Sequence, residues 1–508
     1  MKNKIILADV QNEERPYLEI PLGLLSIGSF LENKKYDVKI VKINMGNPDK
    51  INKYLDKGVA CVGFGVRTDQ VEVALIVSKH IKRINKDIKI IWGGVHVNLY
   101  PKQVLENDNI DIVVYGDGEY TLFEVAKAIS KNKTLRKIAG CGYKEKNKLF
   151  FNEKRGFTNI SKLPKIDYSI IEELETYIED SKSADAIMKN TAFLPILSGV
   201  GCPFNCSFCY NTTQRGRMFK RDVNVMLDEI SELQKRYNLN FFRIRDELFF
   251  YDKNKAEEFI KEKKKRGLKF MWDSSFHVNL LKNDIIYSDE FISDLKKEGF
   301  VYTGVGVESG SIEQLKRYRK NITPWEVVKV AKRLSKLKLL STYAFMVGAP
   351  YETYNDIIDT VRLIYKIKSI APDYVYVTGP LSLFRPYPGA DLYQEAIKMG
   401  YKEKEKLEDW KNLSKFTGYS TYKDFPYLKT DLSKIYNVFY YLKLIKGLFN
   451  VKNKNVLNLL RKEIIYKILT NASIVNIVGL TIKIFIENKL VDKLVVRKIL
   501  GRSLILER

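Results

Sequence analysis

The sequence predicts an α/β protein in which a Rossmann-like domain precedes a partial (β/α)6 barrel and a mainly helical C-terminal domain. Short apolar runs alternate with amphipathic stretches in two separate rounds, and this alternation carries the prediction. The first round occupies residues 1–135 and the second residues 191–400. An irregular, charged connector at 136–190 separates them, and a lysine-rich segment, 401–508, follows. The chain is therefore expected to fold as several domains.

The first round predicts a parallel sheet covered by helices on both faces. Its apolar runs are Ile5–Val10, Val38–Val41, Val59–Phe64, Ile88–Trp92 and Ile110–Tyr115. They are short and continuous, as strands buried on both faces require. Gln70–Ile84 is amphipathic and ends in basic residues, as a helix C-terminus prefers. A ligand is expected at the carboxyl ends of these strands. A hairpin is predicted around Gly142–Phe151 in the connector.

The second round predicts six βα units, which suit a partial barrel better than another open sheet. Its strands are expected at Leu194–Ser198, Asn240–Ile244, Lys269–Asp273, Tyr302–Val307, Thr342–Val347 and Tyr374–Leu381. Its helices are expected at Val225–Tyr237, Lys255–Arg266, Ser288–Glu298 and Asn355–Ile367. The active site of such a barrel lies at the C-terminal ends of its strands.

The charge and the cysteine content indicate the cellular location and the classes of partner. Three of the five cysteines fall within eight residues, which leaves Cys61 and Cys141 as isolated thiols expected in the core. This usage argues against a disulfide scaffold and predicts a reducing, cytoplasmic location. The net charge is +25, and residues 425–508 hold 16 Lys or Arg against 5 Asp or Glu. No nucleic-acid-binding module accompanies this charge, so nucleic acid is not an expected partner.

Two interpretations of the basic C-terminal tail remain open. Lys443–Leu460 and Lys489–Leu506 mix basic and apolar residues, as interfacial amphipathic helices do, which would allow peripheral membrane contact. The alternative is a helical cap that packs on the open side of the barrel and exposes a lysine face to solvent.

One cysteine motif carries specific chemistry. Cys202, Cys206 and Cys209 follow a C-x3-C-x2-C pattern directly after a predicted strand. Three thiolates from one loop can ligate three irons of a [4Fe–4S] cubane and leave the fourth iron open for a small chelating ligand. A structural zinc site would require a fourth Cys or His at a fitting spacing. The only histidines, His80, His96 and His277, are distant in sequence.

The cysteine loop resembles that of the radical S-adenosylmethionine (SAM) superfamily. Phe208 occupies the aromatic position before the last cysteine, and Tyr210 follows that cysteine as in many members. The resemblance implies that the amino and carboxylate groups of SAM chelate the open iron. One electron, from a donor such as flavodoxin or ferredoxin, then cleaves the sulfonium and yields a 5′-deoxyadenosyl radical.

Two acidic segments match the same superfamily in order. Asp246 and Glu247 follow the second barrel strand, where relatives hold the SAM amino group with carboxylates. The segment Gly306–Ser311 is similar to a G-x-E-S-G-S segment, which implies that Glu308 and Ser309 reach SAM or the pocket.

Three further positions extend the resemblance towards residue 400. His277 stands where relatives commonly carry arginine, so a SAM contact and a structural role both remain open. The segment Gly348–Thr353 matches a G-x-P-x-E-T turn, which implies that the backbone at Pro350 lies near adenine. Pro386–Gly389 matches a turn near the end of the core in the same subgroup.

The domain order resembles the cobalamin-binding subgroup of this superfamily. In relatives, three glycine-containing turns flank the corrinoid, and the matching residues here are Pro21, Gly23, Gly93, Gly94, Gly116 and Gly118. The D-x-H-x-x-G signature, which supplies a lower histidine ligand to cobalt, is absent from the sequence. Cobalamin is therefore expected without a histidine from that motif. For His96, an approach to the corrinoid and an ordinary loop hydrogen bond are both possible.

The resemblance implies a methyltransferase that acts on an unactivated carbon, or on phosphorus, of a small-molecule or natural-product substrate. Radical cyclisation, ring contraction or rearrangement without methyl transfer is the alternative. A second alternative is that the N-terminal domain is a cofactor-free module that binds a partner. Methylthiolation is disfavoured because that group carries a second cluster on N-terminal cysteines, and this domain holds only Cys61.

Overall fold

A computed structural model describes residues 3–11, 18–146, 148–184, 187–188, 190–214, 216–371, 373–377, 382–413 and residue 426. Nearly all of the predicted C-terminal domain, including Lys443–Leu460 and Lys489–Leu506, lies outside the described residues. No helix in the described part of the chain is long and apolar enough to cross a bilayer.

The N-terminal sheet has seven strands in the order β2-β1-β3-β4-β5-β6-β7. They are β1 (Lys4–Val10), β2 (Asp37–Ile43), β3 (Val59–Gly65), β4 (Lys89–Gly93), β5 (Ile112–Val114), β6 (Cys141–Glu145) and β7 (Lys148–Phe151). The first five are parallel, as the apolar runs predict. The predicted hairpin also forms, as β6 and β7, and it extends this sheet because β6 pairs antiparallel with β5.

Helices cover both faces of this sheet, which explains why its strands are continuously apolar. The helices are α1 (Leu22–Asn33), α2 (Val71–Ile84), α3 (Val95–Leu99), α4 (Pro101–Glu106) and α5 (Gly118–Ser130). Along β1, Ile5 and Leu7 belong to the core shared with α1 and α5, whereas Ile6 and Ala8 belong to the core shared with α2. Successive side chains of a strand point to opposite faces, so both faces demand apolar residues.

The barrel contains six parallel strands in the order β8-β11-β12-β13-β14-β15, and this path does not close on itself. They are β8 (Leu194–Ile196), β11 (Phe241–Ile244), β12 (Met271–Phe276), β13 (Phe300–Glu308), β14 (Leu340–Val347) and β15 (Val375–Val377). Two short additions are the antiparallel pair β9 (Gly199–Val200) and β10 (Phe219–Lys220), and β16 (Ser382–Leu383), which pairs with β14. The predicted partial (β/α)6 barrel is confirmed.

Most helices of the connector and the barrel start at a side-chain cap. The helices of this part are α6 (Leu174–Ser181), α7 (Val223–Tyr237), α8 (Lys253–Lys265), α9 (Val278–Leu281), α10 (Asp289–Lys297), α11 (Ile312–Arg317), α12 (Pro324–Lys336), α13 (Tyr354–Ile370) and α14 (Asp391–Lys398). The exceptions are α6 and α14. Thr323 and Thr353 form capping boxes with Glu326 and Asp356, which satisfy the first free backbone N–H groups of α12 and α13.

After the barrel, the chain returns to the N-terminal domain. The 3-10 helix Leu407–Leu413 packs against α2, and Trp410 belongs to the same core as the strands of the first sheet. The Trp410 indole Nε1 donates to Gln103 Oε1 at 2.8 Å. The two domains are therefore held together by a later segment as well as by the connector.

Candidate active site

The cysteine loop begins directly after the short β9 strand, at the C-terminal end of the first barrel strand. Gly201 precedes it with φ +95°, a conformation that favours glycine. A Cβ at this position would lie 1.4 Å from the backbone oxygen of Arg217, so only glycine fits. Within the loop, the Cys209 backbone N–H donates to the Cys206 carbonyl at 3.0 Å. The loop therefore turns tightly and carries all three cysteines.

Two later helices anchor this loop from behind. The Ser207 backbone N–H donates to the Tyr318 carbonyl at 3.1 Å, and Ser207 Oγ donates to the Arg317 carbonyl at 2.5 Å. The Ser207 carbonyl in turn accepts from the Leu392 backbone N–H at 3.0 Å. Phe208 packs its ring against the edge of Tyr318, with centroids 5.4 Å apart. The ends of α11 and α14 thus hold the loop in place.

The three thiols share one partly buried environment. Burial raises the pKa of Cys202, Cys206 and Cys209, that of Cys206 to about 11, whereas the positive charge of Lys320 lowers all three. Iron coordination deprotonates a thiol outright, so burial of this kind does not prevent ligation. Among the described residues no three His, Cys, Asp or Glu side chains are grouped to hold a single metal ion. A cubane makes no such demand, because each thiolate binds a different iron.

Asp246 and Glu247 lie beside the cysteine loop, at the end of β11. Asp246 Oδ2 accepts from Ser198 Oγ at 2.5 Å and from Lys220 Nζ at 3.2 Å. Its Oδ1 is buried and has no partner among the described residues. Glu247 Oε2 accepts from the Gly201 backbone N–H at 2.9 Å. Glu247 thus helps to shape the loop, and Asp246 keeps one oxygen available for a cationic ligand.

Glu308 and Ser309 are neighbours in sequence but differ in their surroundings. Glu308 ends β13 with φ +76°, and its Oε1 lies 3.5 Å from Lys320 Nζ. Ser309 is fully buried, and its Oγ lies 3.1 Å from Thr360 Oγ1 on α13. Ser309 Oγ also accepts from the Ser311 backbone N–H at 3.1 Å. Ser309 therefore helps to pack α13 against β13, and its contact with SAM or the pocket stays a prediction.

His277 caps α9 and stacks on the cysteine loop. Its Nδ1 accepts from the Asn279 backbone N–H at 3.2 Å, and its ring lies 3.8 Å from the ring of Phe204 at an interplanar angle of 19°. Burial and the charge of Lys320 lower its pKa to about 3, so the ring is neutral near pH 7. The proton then resides on Nε2, which is buried and has no partner in the described part of the chain.

The turn around Pro350 is closed by its own glutamate. Glu352 Oε2 accepts from the Gly348 backbone N–H, and the Glu352 N–H donates to the Ala349 carbonyl at 3.1 Å. Burial raises the pKa of Glu352 to about 8. Arg317 Nη1 donates to the Tyr351 carbonyl at 3.1 Å, which ties this turn to the helix behind the cysteine loop.

A cavity of about 500 Å³ opens at the carboxyl edge of the N-terminal sheet, a volume within the usual range of cofactor sites. All six corrinoid contacts predicted from the sequence line it: Pro21, Gly23, Gly93, Gly94, Gly116 and Gly118. The barrel contributes Tyr210, Thr213, Gln214 and Arg217 to the same wall. The segment directly after the last cysteine of the loop thus faces the N-terminal domain.

A polar network crosses this wall. Tyr210 Oη accepts from Gln214 Nε2 at 2.7 Å and from Asn98 Nδ2 at 3.3 Å. Asn98 Oδ1 accepts from the Gly116 backbone N–H at 2.7 Å. Arg217 Nη2 lies 2.6 Å from Asp117 Oδ1. Sequence reasoning missed Asn98 and Asp117, although each lies within or near a predicted glycine turn.

The cavity suits a large amphipathic cofactor. Its apolar lining includes Leu7, Ile91, Val114 and Leu122 from the strands and α5. Arg67 Nη2 and Arg217 Nε are buried at its polar side and have no hydrogen-bond partner among the described residues. Asp9 lines it too, with a pKa raised to about 6 by burial. The free N–H groups of the two arginines match the carbonyl groups of amide side chains as hydrogen-bond acceptors.

None of the three histidines, all of which are described, lines the cavity. His96 is fully buried, with its Nδ1 3.2 Å from Thr68 Oγ1 and Trp410 packed edge-on at 5.3 Å. Its position in the core shared with α2 is that of an ordinary buried histidine. Of the two possibilities left open by the sequence, the structure shows the ordinary hydrogen bond, although His96 lies in α3 and not in a loop.

Comparison with protein families matches both domains. Residues 9–126 match the B12 binding domain model, and residues 196–364 match the Radical SAM superfamily model. A curated relative, the uncharacterized methyltransferase PH0819 of Pyrococcus horikoshii, is 30% identical over 74% of this chain and 78% of its own length. The chain is a cobalamin-binding radical SAM enzyme. The predicted [4Fe–4S] cluster, SAM and cobalamin are confirmed as the cofactors of this family.

A second curated relative and a solved structure are also similar to this chain. The anaerobic magnesium-protoporphyrin IX monomethyl ester cyclase of Rubrivivax gelatinosus is 26% identical over 62% of this chain and 54% of its own length. The structure of the cobalamin-dependent SAM radical enzyme OxsB, with aqua-cobalamin and SAM bound, aligns with a TM-score of 0.67 and 17% identity. The alignment covers 92% of this chain and 73% of OxsB. The likeness to OxsB confirms the predicted order of a Rossmann-like domain followed by a partial barrel.

Proposed function

We propose that this enzyme transfers a methyl group to an unactivated carbon, or to phosphorus, of a small-molecule substrate. The observation that carries the proposal is the shared wall between the two cofactor sites. Tyr210 and Gln214, the first and last residues of the short helix after Cys209, line the cavity of the N-terminal domain. A substrate at this wall has access to both cofactors. When bound, the cluster and SAM supply a hydrogen-abstracting 5′-deoxyadenosyl radical, and cobalamin supplies the methyl group.

Residues of the barrel account for binding of the cluster and SAM. Cys202, Cys206 and Cys209 ligate the cluster through their thiolates. Asp246 offers its unpartnered Oδ1 to the SAM amino group, and Glu308 adds a second carboxylate at the end of the next strand but one. The neutral ring of His277 donates a hydrogen bond from Nε2. The turn at Pro350 presents its backbone to adenine.

Residues of the N-terminal domain account for binding of cobalamin. The turns that carry Pro21 and Gly23, Gly93 and Gly94, and Gly116 and Gly118 surround the corrinoid closely because they lack bulky side chains. Arg67 and Arg217 donate to its peripheral amides. Since none of the three histidines reaches the cavity, no histidine of this chain ligates cobalt.

Radical cyclisation or rearrangement without methyl transfer is the second candidate function. The observation that favours it is the similarity to the Rubrivivax gelatinosus cyclase, which is 26% identical over 62% of this chain. The match of PH0819, named as a methyltransferase, at higher identity favours methyl transfer.

The distinguishing experiment follows the label from SAM. The reconstituted full chain, with cobalamin and a low-potential reductant, is incubated anaerobically with methyl-d3-SAM and a small-molecule extract. We expect 5′-deoxyadenosine, S-adenosylhomocysteine and a product that carries the labelled methyl group. Formation of 5′-deoxyadenosine without S-adenosylhomocysteine or labelled product would overturn methyl transfer and favour rearrangement. Cys206→Ala is the control for radical chemistry.

The remaining partners follow from this chemistry. We propose that a flavodoxin or ferredoxin donates the electron that reduces the cluster, in the reducing cytoplasm. Peripheral membrane contact through the basic tail remains a proposal from its composition alone. Co-sedimentation of the full chain with anionic vesicles, compared with a chain truncated after residue 430, tests it.

A further inference from the structure

Lys320 is a buried lysine beside the cysteine loop that no part of the proposed function uses. Its side chain is only 5% exposed. It follows α11, and its backbone N–H donates to the Leu315 carbonyl at 3.1 Å. The flanking residues Arg319 and Asn321 have φ values of +53° and +51°. This unusual backbone turns the chain inward at Lys320, so the position of its side chain is fixed by the fold.

The ammonium group of Lys320 lies inside the barrel. Its Nζ is 3.5 Å from Glu308 Oε1, and a Cβ placed on Gly306 would be 3.4 Å from the same nitrogen. Two residues earlier, the Tyr318 carbonyl accepts from Ser207 of the cysteine loop. The charge of Lys320 acts on all three cysteine thiols. Lys320 therefore pairs with a carboxylate, and its charge also acts on the cluster site.

Because the cluster is charged, the ammonium group of Lys320 affects how easily the cluster is reduced. An oxidised [4Fe–4S] core of charge +2 with three thiolates carries −1, and one-electron reduction takes it to −2. A nearby positive charge stabilises the more negative state, and the effect is stronger at a buried site than in water. Net charge and solvent exposure are among the features that set the potential of an iron–sulfur cluster.

We propose that Lys320 raises the reduction potential of the [4Fe–4S] cluster by holding a positive charge beside it. Lys320 then acts on the cluster through its positive charge and ligates no iron. It makes the cluster easier to reduce by a one-electron donor of the flavodoxin or ferredoxin class. The electron passes from the donor to the cluster, with no bond made or broken at the lysine. The inference depends on cluster binding by the three cysteines and not on the identity of the methyl acceptor.

Potentiometric titration of the reconstituted full chain without SAM tests the inference, with the signal of the reduced cluster followed by electron paramagnetic resonance. For Lys320→Met, we expect the ratio of reduced to oxidised cluster at a fixed potential to fall at least tenfold, which is about 59 mV for a one-electron couple. Lys320→Arg keeps the charge and should keep the potential. Lys316→Met is the matched control, because it removes the same charge from an exposed position on α11 and should leave the potential unchanged.

Glu308→Gln provides an independent measurement should Lys320→Met fail to load its cluster. It removes a negative charge from the same pair and should shift the potential upwards, opposite to Lys320→Met. A potential in Lys320→Met equal to that of Lys316→Met would overturn the inference, as would no upward shift in Glu308→Gln. Loss of SAM affinity in Lys320→Met with an unchanged SAM-free potential would also overturn it, and would assign the ammonium group to the SAM carboxylate.

Discussion

Arg217 of the barrel and Asp117 of the N-terminal domain form an ion pair across the wall between the two cofactor sites, with Arg217 Nη2 2.6 Å from Asp117 Oδ1. The other carboxylate oxygen of Asp117 accepts from the Thr158 backbone N–H at 2.7 Å. The side chains of Arg217 and Asp117 are 20% and 8% exposed, so the pair is shielded from solvent screening. It fixes the segment after the cysteine loop against a glycine turn of the cobalamin cavity.

Arg217→Met should weaken retention of cobalamin. The change removes the interdomain ion pair and leaves the Asp117 carboxylate partly buried without its partner. We expect about tenfold weaker binding, or about 1.4 kcal/mol, measured from the absorbance of cobalamin bound after gel filtration at several loading concentrations. Arg136→Met removes the same charge from a 65% exposed side chain and should bind as the native chain does. Equal cobalamin affinity in both variants would contradict the proposed role.

Cys206→Ala should abolish iron loading of the radical site and the formation of 5′-deoxyadenosine. Three of the four irons take a thiolate from this chain. Removal of the Cys206 thiolate therefore leaves two irons of the cluster without a protein ligand. Iron and sulfide content, together with 5′-deoxyadenosine by mass spectrometry, provides the measurement. Cys61→Ala, at a fully buried thiol in the N-terminal core, should retain the cluster. Persistent SAM cleavage in Cys206→Ala would refute the assignment of the cluster.

Gly94→Ala should destabilise the N-terminal domain. Gly94 has φ +94°, and an added Cβ would lie 2.7 Å from the Val66 backbone nitrogen. Strain of this kind costs about 1–3 kcal/mol, which a lower Tm of the apoprotein would show. Gly23→Ala is the matched control, since nothing lies within 4 Å of its Cβ position and it sits in α1, where alanine is favoured. A Tm of Gly94→Ala equal to that of Gly23→Ala would contradict the prediction.

His96 should make the fold sensitive to acid. Burial lowers its pKa from 6.5 to about 4 in the folded chain. The unfolded chain takes up the proton first, so this stability is fully present above pH 6.5 and is lost as the pH falls towards 4. At pH 5 the loss is about 2 kcal/mol. His96→Leu should therefore show a smaller fall in Tm between pH 7 and pH 5.

Val97→Ala is the control for this measurement, because Val97 is buried on the same helix as His96 and carries no titratable group. This variant should lower the Tm at both pH values and keep the pH dependence of the native chain. If His96→Leu lost as much stability as the native chain over the same pH range, another group would be responsible for the acid sensitivity.

The sequence was sufficient to predict both sheets and the cavity of the N-terminal domain. Continuous apolar runs are forced by burial on both faces, so β1 and β3 are readable without any long-range information. Glycines at strand ends are equally readable where the backbone requires them, as at Gly94 and Gly116, which both have positive φ.

Contacts between distant segments were not predictable in the same way. The pairing of β13 and β14 shifts register between Gly306 and Glu308, and a shift of one residue changes the face to which the following side chains of a strand point. Lys320 is one lysine in a lysine-rich chain, and only the fold shows that it is buried. The contact between His96 and Trp410 joins segments more than 300 residues apart.

The return of Leu407–Leu413 to the N-terminal domain also constrains how the protein is made. Domains commonly fold in order of synthesis as they leave the ribosome. Here the first sheet cannot acquire its complete hydrophobic core until Trp410 has emerged, after the whole barrel has been synthesised. Until then, α2 and His96 lack their covering aromatic side chain. The cobalamin domain, though encoded first, is therefore completed only after the barrel has been synthesised.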